Sequence, residues 1–205
     1  MTRIVLVRHG QTAWNRESRF RGQADVELNE LGLKQAQATG RYLAARWPVA
    51  AVYASRMGRA MRTAEAIARA QGLTAQPLEG LLDIDFGEWQ GLSPDEVAQR
   101  YPDLYRAWLE APHTVRVPGG EGLDDVRSRV VAGLEEVIAR HEGEAVVLVS
   151  HTVVNRVLLC AVLGLGNDHF WRLGQETCAV NVFDAENGTF TVILLNDTCH
   201  LQGLS

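Results

Sequence analysis

Cysteine is scarce in this chain, with Cys160, Cys178 and Cys199 the only three among 205 residues. An odd number of cysteines without CxxC spacing gives no sign of a disulfide framework. We therefore expect the three thiols to be small core residues of a protein in a reducing compartment, and the cytoplasm as its location.

Long apolar runs and an excess of positive charge are also missing. No apolar stretch approaches the ~20 residues that cross a bilayer, and the N-terminal residues lack the pattern of a signal peptide. The net charge of −5 argues against nucleic acid or an anionic membrane as a partner. With 46% hydrophobic and 22% charged residues, the composition is that of a soluble globular protein. A homodimer is left open.

The sequence does contain two apolar strand patterns that run directly into a histidine. Ile4–Val7 is followed by Arg8 and His9, and Ala145–Ser150 is followed by His151. In open α/β sheets, ligands bind outside the carboxyl ends of the strands. Two histidines in such positions indicate an active site.

A third strand pattern, Val49–Ala54, leads into a polar turn and then Arg59. Together the three strand ends present Arg8, His9, Arg59 and His151 on an otherwise acidic protein. Because guanidinium groups match the geometry of phosphate and stay charged, the ligand expected here is a phosphate.

Strand and helix patterns alternate along the chain, which predicts an α/β fold. We expect one domain, residues 1–205, built as a three-layer α-β-α sandwich with a mostly parallel sheet and helices on both faces. Cys178–Phe183 and Thr189–Leu195, joined by Glu186-Asn187-Gly188, are predicted to form a closing β-hairpin. Residues 82–121 show little strand pattern and are interpreted as a lid or cap over the strand ends.

Several segments in this order resemble the histidine phosphatase superfamily, the phosphoglycerate-mutase-like enzymes, over nearly all of the chain. The segments are Arg8-His9-Gly10-Gln11-Thr12 with Asn15, Ser55 to Ala64, Gly87-Glu88-Trp89-Gln90-Gly91, Pro118-Gly119-Gly120-Glu121, Val149-Ser150-His151 and Asn196-Asp197-Thr198.

The resemblance implies a role for each residue at the strand ends. His9 matches the nucleophile that forms a phosphohistidine, and Arg8 and Arg59 match the two phosphate-binding arginines. His151 matches the second histidine, which donates a hydrogen bond to the transferring phosphate. Asn15 matches a phosphate-binding residue, although an asparagine here also suits a helix cap. No carboxylate cluster typical of a metal site stands out, so neither a metal nor another cofactor is expected.

At the general acid the chain departs from the family pattern, because the family usually has a glutamate where this chain has Asp83. Aspartate performs the same proton transfer but is one methylene shorter, so the backbone must approach more closely or the substrate must bind deeper. Asp85 and Glu88 are the competitors. Alternation along an extended chain puts Asp83 and Asp85 on the same side.

Three further residues have two interpretations each. Arg21 stands where relatives often carry glutamine, and it either meets a second anionic group of the substrate or pairs with Asp25 or Glu27. Glu121 lies in a loop that resembles the phosphatase branch, and it either touches the substrate or caps the following helix. His200 either reaches the site or, by default, serves packing.

The function expected from these residues is metal-independent hydrolysis of a small phosphomonoester through a phosphohistidine on His9. One alternative is a cofactor-dependent phosphoglycerate mutase, although family mutases are typically longer. The other alternative is a catalytically inactive phosphate-binding module. Which phosphomonoester is the substrate does not follow from the sequence.

Overall fold

The computed structural model describes residues 1–204, which form a six-stranded sheet with helices on both faces. The strands are β1 (Thr2–Arg8), β2 (Ala51–Ala54), β3 (Ala75–Pro77), β4 (Ala145–Ser150), β5 (Val180–Glu186) and β6 (Thr189–Asp197). The α-helices are α1 (Ala13–Arg16), α2 (Glu30–Arg46), α3 (Gly58–Ala70), α4 (Pro94–Arg100), α5 (Pro102–Glu110), α6 (Leu123–Arg140) and α7 (Thr152–Val162). Short 3₁₀ helices span Glu79–Leu81, Gly87–Trp89, Pro112–Thr114, Asn167–Arg172 and Cys199–Leu201.

The sheet is mixed, with strand order β3-β2-β4-β1-β5-β6. The first four strands in this order are parallel, and β5 and β6 add two antiparallel pairings. The predicted α/β fold and closing hairpin are confirmed. Asn187 and Gly188 both have positive φ, 50° and 75°, in the turn that joins β5 to β6. Positive φ at both central residues is typical of tight hairpin turns, which is why an Asn-Gly pair suits this position.

Side chains of β1 alternate between two separate cores. Ile4 and Leu6 pack into the cluster that α6 and α7 cover, while Val5 and Val7 pack into the cluster that α2 and α3 cover. All four are fully buried. A central strand with apolar contacts on both faces gives a continuous apolar run in the sequence, as observed.

The register of the parallel strands brings the two histidines together. Arg8 of β1 pairs with Ser150 of β4, so His9 and His151 follow at the same level of the sheet. The His9 N–H donates to the Ser150 carbonyl at 2.9 Å, which continues the ladder by one residue. The carboxyl ends of β1 and β4 therefore present both histidines side by side.

Residues 82–121 form short helices and turns around an aromatic cluster. Ser93 caps α4 through a capping box with Glu96, and Pro94 occupies the first helical position. Trp89 and Trp108 are buried, with ring centroids 6.1 Å apart. This packing holds the segment against the α6–α7 side of the sheet.

The expectation that all cysteines lie in the core is wrong for one of them. Cys160 and Cys178 are buried, but Cys199 is exposed because it lies beyond the last strand, in the final 3₁₀ turn. Among residues 1–204, no helix combines the length and apolar character needed to cross a membrane.

Candidate active site

The turn after β1 fixes the protonation of the His9 ring. Its Nδ1 lies 2.7 Å from the carbonyl oxygen of Gly10, so Nδ1 carries the proton and donates it there. The Gly10 N–H in turn donates to the Thr63 hydroxyl at 3.1 Å. A side chain at Gly10 is excluded by space, because a Cβ would lie 2.5 Å from the carbonyl oxygen of Gly32. The Nε2 of His9 is left with its lone pair, and within the described chain it has no hydrogen-bond partner.

The surroundings of His9 keep its ring neutral. Complete burial, and then the charges of Arg59, Arg8 and Arg21, lower the pKa of His9 well below its ordinary value of 6.5. An unprotonated imidazole nitrogen at neutral pH is what nucleophilic attack on phosphorus requires.

Two arginines approach the histidines and are anchored by backbone carbonyls. Arg8 donates to the Gln175 carbonyl at 2.5 Å, and Arg59 donates to the carbonyls of Gly22 and Ala24 at 2.6 and 2.8 Å. Burial and the charge of Arg21 lower the pKa of Arg8 to about 9, so its guanidinium remains charged at neutral pH. We call Arg8, His9, Arg59 and His151 the cationic floor.

Asp83 lies against this floor. Its Oδ2 is 2.9 Å from Nη2 of Arg59 and 3.4 Å from Nδ1 of His151. The rings of His9 and His151 are themselves 5.2 Å apart. Burial raises the pKa of Asp83 despite the opposing charges of Arg59 and Arg21, which favours a carboxyl that keeps its proton. Burial and the charge of Arg59 lower the pKa of His151.

The two competing acids are engaged elsewhere. Asp85 accepts a hydrogen bond from the N–H of Gly87 at 2.8 Å, and Glu88 accepts one from the hydroxyl of Tyr101 at 2.6 Å. Neither residue lines the cavity above the floor, whereas Asp83 does.

The carboxylate of Glu121 has partners outside the cavity above the floor. Its carboxylate pairs with Arg129 at 3.1 Å and accepts the N–H of Asp85 at 2.9 Å. Glu121 and Arg129 line a different cavity from the one above the floor. Its carboxylate does not cap α6 either, because Gly122 is the N-cap residue and its N–H donates to the carboxylate of Asp125 at 2.8 Å.

Arg21 and Asn15 both line the cavity above the floor. Within residues 1–204, Arg21 forms no ion pair with Asp25 or Glu27, and its Nε is buried without a partner. Both roles weighed for Asn15 are compatible with its position. Its Oδ1 accepts the Thr12 N–H at 2.8 Å as part of the α1 capping box, and its side chain borders the cavity.

The cavity has a volume of about 460 Å³ and an aromatic wall. Of the floor residues, Arg8 lines the cavity, and Asp83, which contacts Arg59 and His151, lines it as well. The wall comes from Phe20, from the 82–121 segment and from the 3₁₀ helix Asn167–Arg172; its other aromatic members are Phe86, Tyr105, Trp108, Phe170 and Trp171. Arg156 and Glu176 also line it, and the Arg156 guanidinium lies over the rings of Phe170 and Trp171 at 5.2 and 4.9 Å.

Sequence reasoning missed Arg156 and Glu176. A signal existed for Arg156, which is the single charged residue of the mostly apolar α7 and follows His151 by five positions. Nothing in the pattern around Glu176 marks it.

His200 packs away from the cavity. Its ring stacks on Tyr42 with centroids 4.6 Å apart, and its Nε2 lies 2.9 Å from the Thr39 hydroxyl. With Asp197 and Cys199 it forms a group whose ligand atoms lie within 4.8 Å of one another, the one such cluster found in residues 1–204. The Asp197 carboxylate already accepts the Tyr42 hydroxyl at 2.7 Å.

Comparisons with known proteins identify the family of this chain. Residues 4–198 match the family model described as the histidine phosphatase superfamily, branch 1. The chain is 39% identical to phosphoserine phosphatase 1 of Hydrogenobacter thermophilus, over 98% of this chain and 95% of that protein. It is 38% identical to a metal-independent phosphoserine phosphatase of Arabidopsis thaliana, over 100% of this chain and 85% of that protein.

Among solved structures, Bacillus stearothermophilus YhfR superimposes with a TM-score of 0.93 at 34% identity, covering 98% of this chain and 100% of that one. The chain therefore belongs to branch 1 of the histidine phosphatase superfamily and is a phosphoric monoester hydrolase.

Proposed function

We propose that this phosphatase hydrolyses a small phosphomonoester without a metal, through a phosphohistidine on His9. Nε2 of His9 attacks phosphorus, a P–N bond forms, and the P–O bond to the substrate alcohol breaks. Water then attacks phosphorus and releases inorganic phosphate and the free imidazole. The observation that carries the proposal is the lone pair on Nε2, held available by the Nδ1–Gly10 hydrogen bond and by the depressed pKa of the ring.

Asp83 is proposed as the general acid that protonates the departing alkoxide. Support comes from its contact with Arg59, its distance of 3.4 Å from His151 and the burial that raises its pKa. After protonating the alcohol, the same carboxylate takes a proton from the attacking water. Arg8, Arg59 and His151 would stabilise the charge on the equatorial phosphoryl oxygens.

The substrate is proposed to carry a second anionic group. Arg21 and Arg156 line the cavity without being part of the cationic floor. The buried Nε of Arg21 has no hydrogen-bond acceptor among the described residues. Phosphoserine, named for two of the relatives, has a carboxylate and an ammonium beside its phosphate. Glu176 at the same cavity would face that ammonium. We also keep the cytoplasm as the proposed location, supported by three unpaired cysteines.

A panel of phosphorylated metabolites assayed with EDTA present tests this function. Phosphate release should persist in EDTA and should be highest, by kcat/KM, for phosphomonoesters with a second anionic group. An inactive module would release no phosphate, and a strict mutase would convert phosphoglycerate isomers with little release. Loss of activity in EDTA, restored by a divalent metal, would contradict the proposal.

A further inference from the structure

Asp83 lies in a stretch without regular secondary structure, between the 3₁₀ helices Glu79–Leu81 and Gly87–Trp89. Backbone groups in such a loop need partners from elsewhere. Arg129 of α6 binds two carbonyls of this stretch and one of the preceding 3₁₀ helix. Its guanidinium donates to the carbonyls of Gly80, Leu82 and Asp83 at 3.1, 2.5 and 3.1 Å.

Glu121 holds the same loop from its other side. Its Oε1 accepts from Nε of Arg129 and its Oε2 from Nη2, both at 3.1 Å, so the pair is bidentate. The same Oε2 also accepts the N–H of Asp85 at 2.9 Å. Carbonyls before and at Asp83 are thus bound by the arginine, and the N–H after it by the glutamate.

Arg129 and Glu121 contact the backbone of the loop and do not line the cavity above the cationic floor. Arg129 and Glu121 line a cavity that is separate from the one above the cationic floor, and Asp83 does not line that second cavity. Their bonds converge on the backbone of the loop, whereas the Asp83 side chain reaches Arg59 and His151 in front of it.

The short side chain of aspartate makes the placement of this loop important. Catalytic groups lose most of their effect when they are displaced by about 1 Å, and a side chain with fewer rotatable bonds has less reach to compensate. We propose that Arg129 and Glu121 form a clamp that sets the position of Asp83 for proton transfer. This inference rests on the proposed role of Asp83 as the acid.

The test compares two substrates in four variants. An alkyl phosphate needs a proton on its leaving group, and p-nitrophenyl phosphate does not. Arg129→Met should lower kcat for the alkyl phosphate about 10- to 100-fold and kcat for p-nitrophenyl phosphate less than about 3-fold. In the Asp83→Asn background, Arg129→Met should cause no further selective loss, since the acid is already gone. Arg127→Met is the matched control, because Arg127 also lies on α6 and donates to a distant carbonyl, that of Leu165, at 2.9 Å.

The control should change both substrates alike, and so should any variant that merely destabilises the fold. Should Arg129→Met fail to fold, Glu121→Gln keeps an acceptor for Asp85 and should show a smaller loss with the same preference for the alkyl substrate.

Two results overturn the inference in different ways. Equal losses on both substrates in Arg129→Met, with a selective loss in Asp83→Asn, would reject the clamp alone. Equal losses in Asp83→Asn itself would reject the acid assignment and the clamp with it.

Discussion

The floor of the cavity and its wall are built in different ways. Arg8, His9 and His151 of the cationic floor lie at the ends of the paired strands β1 and β4, whereas Arg59 lies in the first turn of α3. Both arginines donate to backbone carbonyls. The wall comes from short helices and 3₁₀ turns, whose aromatic side chains face the cavity. Floor residues are nearly or fully buried, and so are Phe86, Trp108 and Phe170 of the wall, whereas Trp171 is 42% exposed. Three of the four floor residues are thus positioned directly by the sheet, whereas Asp83 and most of the wall are carried by loops and short helices, which can vary without disturbing the sheet.

The largest effect is expected from replacing Asp83, the proposed general acid beside the cationic floor. Asp83→Asn should slow alkyl phosphates by about 10²- to 10⁴-fold and p-nitrophenyl phosphate far less, because only the alkoxide needs a proton to leave. Steady-state kcat on both substrates measures the difference. Asp85→Asn and Glu88→Gln are the controls and should affect both substrates alike. If Glu88→Gln shows the selective loss and Asp83→Asn does not, the acid lies in the Gly87–Trp89 turn instead.

A smaller effect is expected from replacing Arg21, which lines the cavity but is not part of the cationic floor. Arg21→Gln should lower kcat/KM for phosphoserine by about 10-fold, mainly through KM, because one charged hydrogen bond to the second anion is lost. The same change should affect p-nitrophenyl phosphate little. Arg19→Gln is the matched control, since Arg19 lines the same cavity but pairs with Glu17 and Glu96. Equal losses on both substrates would indicate that Arg21 binds the reacting phosphate and not the second anionic group.

The smallest expected effect is the dependence of the free energy of unfolding on pH. The folded pKa values of His9 and His151 are well below 6.5, so below about pH 6.5 the unfolded chain binds protons that the folded chain does not. The free energy of unfolding should therefore decrease as the pH falls below 6.5, by at most about 1.4 kcal/mol per pH unit for each histidine. Asp83, whose folded pKa is raised, acts in the opposite direction, whereas His200, whose folded pKa is lowered by burial, acts in the same direction as His9 and His151.

Denaturant unfolding between pH 7.5 and 5.5 measures this slope. Replacing either His9 or His151 by glutamine should reduce it. An unchanged slope in both variants would mean that neither ring is held neutral by the fold.

The same contrast explains how much could be predicted from the sequence. Arg8 and His9 follow an apolar strand directly, so one contiguous segment gives both their position and their chemistry. The register of β1 with β4 then brings in His151. Such a segment can be recognised in the sequence because a strand that is buried on both faces has apolar side chains at successive positions.

Residues whose role depends on a distant partner were harder to assign. Glu121 has a charge that suits either a substrate or a helix end, and only the position of Arg129 on α6 decides that it holds the Asp83 loop. Asp83 and Asp85 alternate equally well in the sequence, and burial distinguishes them. Cys199 was expected in the core because cysteine is usually a buried residue type. It is exposed because it lies after the end of β6, in the final 3₁₀ turn.

The most direct test of the central claim is rapid quenching of the enzyme with a ³²P-labelled phosphomonoester. The account predicts a labelled protein that is stable in base and labile in acid, as expected for phosphohistidine. The label should be absent from His9→Ala and should accumulate in Asp83→Asn when p-nitrophenyl phosphate is the donor, since the second step then lacks its base. A labelled protein that persists in His9→Ala would contradict the assignment of His9 as the nucleophile.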